Sequence, residues 1–456
     1  MSRAAEAFVS HALGLRWEAM PDSARGAVKT FLLDSLGVGI AGAGAPLTAS
    51  MRQAALAWAG AGDANVWGQG SYRTSAANAA FLNGFQIHCQ EFDCVHEPAV
   101  VHPMATILAA LMATCDRQGA VPGAELGAAI AAAVDVATGL GIAAKTPLKF
   151  FRPATAGIFG ATLGVARLRG LTKAEARNAM GYALSFASGT MQAHSEGKPA
   201  LPVQIANAAR GAVMACDLAA AGMEAAQDSI EGQFGYLTLF ESGFDVAPAV
   251  ASLGTVFRIA EVSHKPFPTG RAAQGGIVLA KQAKAAGIQP EDIKALTLRA
   301  PPLIKRLVGR PAQAGMSASY ARLCYPYSGA LTLIDGHVGL KDFSADALAR
   351  PDVAALAAKI AVVEDGQVDP AAFTPQTLRI ELVSGKMHEF TLYSLLGAPA
   401  DPLSPAQNEA KFRECCAFGF GARREDIEAA LIAAVANLEN LEDAGRLSRL
   451  ASGIME

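Results

Sequence analysis

The sequence predicts a mainly α-helical protein with a smaller α+β domain. Three observations predict it. The composition is rich in alanine and poor in aromatics, helical periodicity runs to about residue 260, and period-two alternation begins after Lys265-Pro266-Phe267-Pro268. Of 456 residues, 52% are hydrophobic, 17% charged and 7% aromatic, so Ala, Leu, Val and Ile must build the interior. Alanine enters a helix at no side-chain entropy cost. A chain of this length exceeds what one core supports, and two domains are expected.

In the first block, Phe31, Leu32, Leu36 and Ile40 share a helical face that runs into a glycine-rich stretch at 37–44, a pattern for close helix packing. Alanine-rich helical segments follow at 76–85, 104–113, 124–144, 174–187 and 205–221, punctuated by Pro and Gly clusters. Beyond the Lys-Pro-Phe-Pro loop, Leu296-Thr297-Leu298-Arg299 alternates as a strand. Leu378, Ile380 and Leu382 alternate with Arg379 and Glu381, and Ser384-Gly385 turns the chain into 387–392, a hairpin. Helical stretches at 274–286 and 325–333 lie between. From Pro399 the helical pattern returns, with Ile427, Leu431, Val435 and Leu438 on one stripe. Such a tail most simply packs back on the first block. The expected division is therefore an all-helical domain from 1–264 and 399–456, with an α+β domain at 265–398.

A net charge of −3 without a basic stripe argues against nucleic acid as a partner. Charges such as Asp135 and Asp217 interrupt the most apolar stretches, so no membrane span is expected; the surplus apolar surface fits an oligomer better. The first residues lack a secretory apolar core, which predicts a cytoplasmic protein. Seven scattered cysteines without a CxxC pair read as reduced, mostly buried thiols. No GxGxxG follows a strand, and neither a P-loop nor GxSxG is present.

Four polar islands interrupt the apolar pattern. The densest runs from His88 through Glu91, Asp93, His96 and Glu97 to His102-Pro103, between two apolar helices. Charges are costly to bury unpaired, so this stretch reads as a cleft wall, and imidazole beside carboxylate supplies general acid/base chemistry. His88, Glu91, Asp93 and His96 are also competent metal ligands, but their spacing fits no HExxH or HxH pattern, and no metal or other cofactor is expected. The second island, His194-Ser195-Glu196-Gly197-Lys198, precedes a helix near Gln204. The third, His264-Lys265-Pro266-Phe267-Pro268-Thr269-Gly270-Arg271, is a rigid junction whose cations can clamp a carboxylate. The fourth is Arg322-Leu323-Cys324-Tyr325-Pro326-Tyr327.

At these islands the chain resembles the MmgE/PrpD family, which includes 2-methylcitrate dehydratase, cis-aconitate decarboxylase and iminodisuccinate epimerase. The likeness spans nearly the whole chain: Phe31-Leu32-Leu33-Asp34-Ser35-Leu36-Gly37, Asn83-Gly84, His88, Phe92-Asp93, His102-Pro103, Ala206 to Arg210, Lys265-Pro266-Phe267-Pro268, Pro326-Tyr327, Asp335-Gly336 and Lys411-Phe412. The resemblance implies a homodimer with a lid-like α+β domain, a site in the cleft between domains, and small di- or tricarboxylate substrates. Its acidic positions fall on Glu91 and Asp93, its His-Pro histidine on His102, its tyrosine on Tyr327 and its loop lysine on Lys265. Cys94 and Val95 replace a family carboxylate and the decarboxylase threonine, and two departures are serious: Arg152-Pro153 stands where the family's decarboxylase has His-Pro, and Leu201 where it has a lysine, with Lys198 one helical turn earlier.

The expected function is a cofactor-independent lyase that removes a proton beside a carboxylate. His102, Tyr327, Glu91, Asp93 and Lys198 are the catalytic candidates. His88, His96, Arg152, Gln204, Lys265 and Arg271 are the substrate-binding candidates. The alternatives are an epimerase on an amino- or imino-dicarboxylate and an inactive carboxylate-binding relative.

Overall fold

The Ala/Leu-rich segments are helices in the computed structural model, which describes residues 3–58, 60–369 and 371–455. The long ones of the first block are α1 (Asp22–Ala43), α2 (Ala76–His88), α3 (Pro103–Gln118), α4 (Gly123–Ala143), α5 (Gly157–Leu168), α6 (Lys173–Phe186) and α7 (Ala200–Ala220). By length and composition α1 and α4 could each cross a membrane, yet 72% and 94% of their apolar windows are buried inside the fold. They are core helices, apolar on most sides because neighbours cover most sides.

Glycine decides how α1 packs. A Cβ on Gly42 would stand 2.0 Å from the Gln86 carbonyl oxygen of α2, and one on Gly39 would stand 2.4 Å from the Trp67 ring. On the other side lies α10 (Pro405–Phe420) from the tail: a Cβ on Gly419 would stand 2.0 Å from the Ile40 carbonyl oxygen. The glycine-rich stretch at 37–44 is thus a surface for backbone approach. One buried cluster holds apolar residues of the first 262 positions together with Phe412, Leu431, Leu447 and others of the tail, including α11 (Glu425–Ala436).

A second buried cluster runs from Phe267 to Leu395. Its helices α8 (Arg271–Ala285) and α9 (Tyr325–Asp335) pack on a four-stranded sheet of β3 (Ile293–Ala300), β4 (Ile360–Glu364), β5 (Gln376–Leu382) and β6 (Met387–Leu392), in the order β4-β3-β5-β6. Strands β3 and β4 are parallel; β3–β5 and β5–β6 are antiparallel, with Ile380 opposite His388 in the hairpin. The alternation found in the sequence marks β3, β5 and β6. Strand β4 is a five-residue edge strand with two buried residues, too short to announce itself. A two-residue antiparallel pair, β1 (Ala64–Asn65) with β2 (Arg73–Thr74), precedes α2. The protein is mainly helical with an α+β portion. All seven cysteines are free thiols, six of them buried and Cys89 partly so.

Candidate active site

Helix α2 ends at His88, and α3 begins at Pro103 with His102 as its N-cap residue. The intervening loop is stitched by a bridge in which Val95 and Ser263 exchange hydrogen bonds of 3.0 and 2.8 Å. Two residues after Ser263 comes Lys265, which this bridge delivers beside Glu91 and Asp93. The sequence islands at 88–102 and 264–271 thereby meet at one place.

Asp93 is the centre of the site. Its carboxylate lies 3.0 Å from Nδ1 of His88 and 3.0 Å from Nδ1 of His102, and 3.7 Å from the Lys265 ammonium. Burial alone would raise its pKa, but His88, His102 and Lys265 hold it well below the usual carboxylate range. An ionised carboxylate only accepts, so both imidazoles donate through Nδ1. The rings stand edge to face, 4.9 Å apart. Glu91 pairs with Lys265 at 2.9 Å; burial pushes its acid up, yet Lys265 and the two histidines bring it to about 2.

The two histidines are driven in opposite directions. Burial pulls His88 down, but Asp93 and Glu91 outweigh it and its pKa is raised; burial pulls His102 down and prevails over Asp93. Helix ends reinforce the split, because His88 closes a helix, where cations are favoured, and His102 opens one, where they are not. His102 thus stands as a neutral ring with its side chain 13% exposed and its Nε2 without a protein partner among the described residues.

Above this cluster is a cavity of about 560 Å³, its mouth included, lined by residues of both buried clusters. His88, Glu91, His102, His194 and Arg271 are its polar lining. Val95, Val100, Leu148, Phe151, Met191 and Leu201 wall it from the helical side together with Leu323, and Val308 and Phe373 from the other. Among the described residues three non-glycine residues have positive φ, and two of them, Glu91 and Val100 (both φ 51°), line this cavity. Such conformations cost about 1–3 kcal/mol each and concentrate at functional sites.

Arg271 opens α8 and reaches the lining with Nε on Glu97 (2.7 Å) and Nη1 on the carbonyls of His264 and Leu396, leaving Nη2 buried and bare. Lys265 is wholly buried under the cavity floor, neutralised by Glu91. His194, which the sequence island contained but the candidate set did not, is 8% exposed; burial and Arg310 push its pKa down to about 4. The one available signal was its place in a polar run just before α7.

Five candidates are not brought to the cavity. The Tyr327 hydroxyl donates to the Asp342 carbonyl at 2.6 Å within the α+β core, so it faces away as a proton partner. Arg152 is locked on Glu241 by Nε at 2.8 Å and Nη2 at 3.0 Å, its charge already neutralised; its neighbours Phe151 and Pro153 line the cavity instead. His96 is fully buried on Glu261 at 2.9 Å. Lys198 is exposed ahead of α7, while Leu201 occupies the wall. Gln204 ties its amide to Thr190, accepting from its N–H at 2.5 Å, and so orders a loop.

His88, Asp93 and His102 place ligand atoms within 4.8 Å of one another, a set a metal could use. The Lys265 ammonium 3.7 Å from Asp93 already supplies the positive charge there and opposes a second cation.

A polar floor of imidazole and carboxylate beneath a hydrocarbon cavity, at the seam of two cores, is the site of an enzyme. The chain belongs to the MmgE/PrpD family: the family's N-terminal domain matches residues 6–249 and its C-terminal domain residues 267–437. It is 27% identical over 466 residues to the cis-aconitate decarboxylase of Mus musculus, covering 98% of this chain and 93% of that protein. The cis-aconitate decarboxylase of Homo sapiens is likewise 27% identical over 464 residues, covering 98% and 94%. A cis-aconitate decarboxylase-like protein, oryM, of Aspergillus oryzae is 24% identical over 451 residues, covering 93% and 92%.

Proposed function

We propose that the protein is a lyase of the dehydratase/decarboxylase kind, acting on a small carboxylate by proton transfer at a carbon beside the carboxyl group. The observation that carries this reading is the Asp93-centred pair, in which one buried carboxylate orients two histidines of opposite proton affinity. Groups whose environments push their pKa values apart mark acid and base. Neutral His102, its Nδ1 proton on Asp93, takes the substrate proton at Nε2. His88, protonated more readily, faces the negative charge that develops on the substrate. Arg271 Nη2 receives a carboxylate oxygen. The names of the relatives support the same reaction class for this chain.

The test is turnover and hydrogen exchange of 2-alkylmalates and alkyl-substituted maleates, alongside cis-aconitate, citrate and 2-methylcitrate, in D₂O, followed by NMR. Wild type is expected to form product or exchange hydrogen with at least one of them, and His102→Gln to lose about 10²–10⁴-fold of that rate. Unchanged exchange in His102→Gln contradicts the assignment. The lining also holds a second neutral imidazole, His194, which favours an epimerase as the other reading. Deuterium entering a stereocentre with no alkene or carbon dioxide formed selects it.

A further inference from the structure

We infer that the substrate carries a hydrocarbon arm packed on Leu201 and no more than two carboxylates; this rests on the carboxylate-lyase reading above. The count of bare cationic atoms sets the limit. Among the described lining residues Arg271 is the one permanent cation, and only its Nη2 lacks a partner. Arg310, behind the lining, is bonded through Nη2 to the His194 carbonyl at 2.8 Å and keeps a bare buried nitrogen, Nη1, which sets the upper bound at two. Every other cation near the site is engaged or turned away. Lys265 is on Glu91, Arg152 on Glu241, Arg306 on the Leu148 carbonyl, and Lys198 is exposed.

Around Leu201 the wall is hydrocarbon. Leu201 is 4% exposed and stands in the lining with Leu148, Phe151, Met191, Leu307 and Leu323. His88, the other cation on the lining, is already held between Asp93 and Glu91, so a third carboxylate against Leu201 would shed its water without meeting an unpaired counter-charge. A branched alkyl group in the same volume meets only carbon and gains from being buried.

Two compounds of matched shape test this by titration calorimetry on the whole protein: 2-isobutylsuccinate, and tricarballylate, in which a carboxylate replaces the branched carbons. Wild type is expected to bind the isobutyl compound at least about tenfold more tightly. Leu201→Lys should shrink that preference about tenfold or reverse it, and Leu201→Met should keep it. Should the lysine variant not fold, the wild-type comparison decides alone. Equal or tighter binding of tricarballylate by wild type, or binding of neither, overturns the inference. The reaction assignment fails separately: tight isobutylsuccinate binding, with no His102-dependent exchange in D₂O on this or any compound above, removes the lyase reading only.

Discussion

Asp93, shared by two imidazoles and bordered by Lys265, illustrates how neighbours decide what a histidine does. Burial pulls both rings down and both touch the same carboxylate, yet their proton affinities part because His88, at a helix end, has Glu91 beside it as well as Asp93, whereas His102, at a helix start, has Asp93 opposed by Lys265. A pH profile follows. His102 must be neutral to accept a proton, and its pKa lies below 6.5, so kcat/KM should fall on the acid side only below that value. His88 must be protonated, and its pKa lies above 6.5, so the alkaline limb belongs above it. An acid limb above 6.5 would show the two roles reversed. The window from His88 to His102 was legible in the sequence because dense charge between two apolar helices has few places to go. Tyr327 was not: its partner is a carbonyl fifteen residues later, which no local pattern reveals. Arg152 likewise depends on Glu241, 89 positions away.

At the scale of elements, α1 is the clearest case of sequence dictating packing. Gly37, Gly39 and Gly42 lie where α10, Trp67 and α2 press against the backbone, so the helix gives up propensity at those positions to gain approach. Gly42→Ala would drive a Cβ into the Gln86 carbonyl at 2.0 Å, and since both partners are backbone a helix must move. The expected loss is about 1–3 kcal/mol or more, visible as a lowered Tm. Gly26→Ala, in the same helix at an exposed position with nothing within 4 Å, should instead leave stability unchanged or raise it by about 0.5–1 kcal/mol. Similar losses in both variants would contradict the packing account. Periodicity found the helices and the hairpin because each buries one face. It missed β4, whose pairing partner β3 lies more than sixty residues earlier.

Across the whole molecule, the tail of the chain reaches the active-site loop. Lys411 of α10 pairs with Asp34 of α1 at 2.6 Å and donates to the Phe92 carbonyl at 2.9 Å, between Glu91 and Asp93. Lys411→Met strands the buried Asp34 charge, and a loss of about 3–5 kcal/mol is expected in denaturant titration. Adding Asp34→Leu should recover most of it, since removing both charges removes the uncompensated one; no recovery would mean that the bond to Phe92 matters more than the pair. These connections span nearly four hundred residues, which is why composition announced a helical protein with an α+β portion while the identity of the loop's anchors had to come from coordinates. The account turns on the protonation of one ring. ¹⁵N-edited NMR of histidine-labelled protein at pH 7 reads it directly: His102 should appear as a neutral imidazole protonated at Nδ1 with Nε2 bare, changing to the other tautomer or losing its fixed one in Asp93→Asn. A His102 imidazolium at that pH, or a proton resident on Nε2 in wild type, would contradict it.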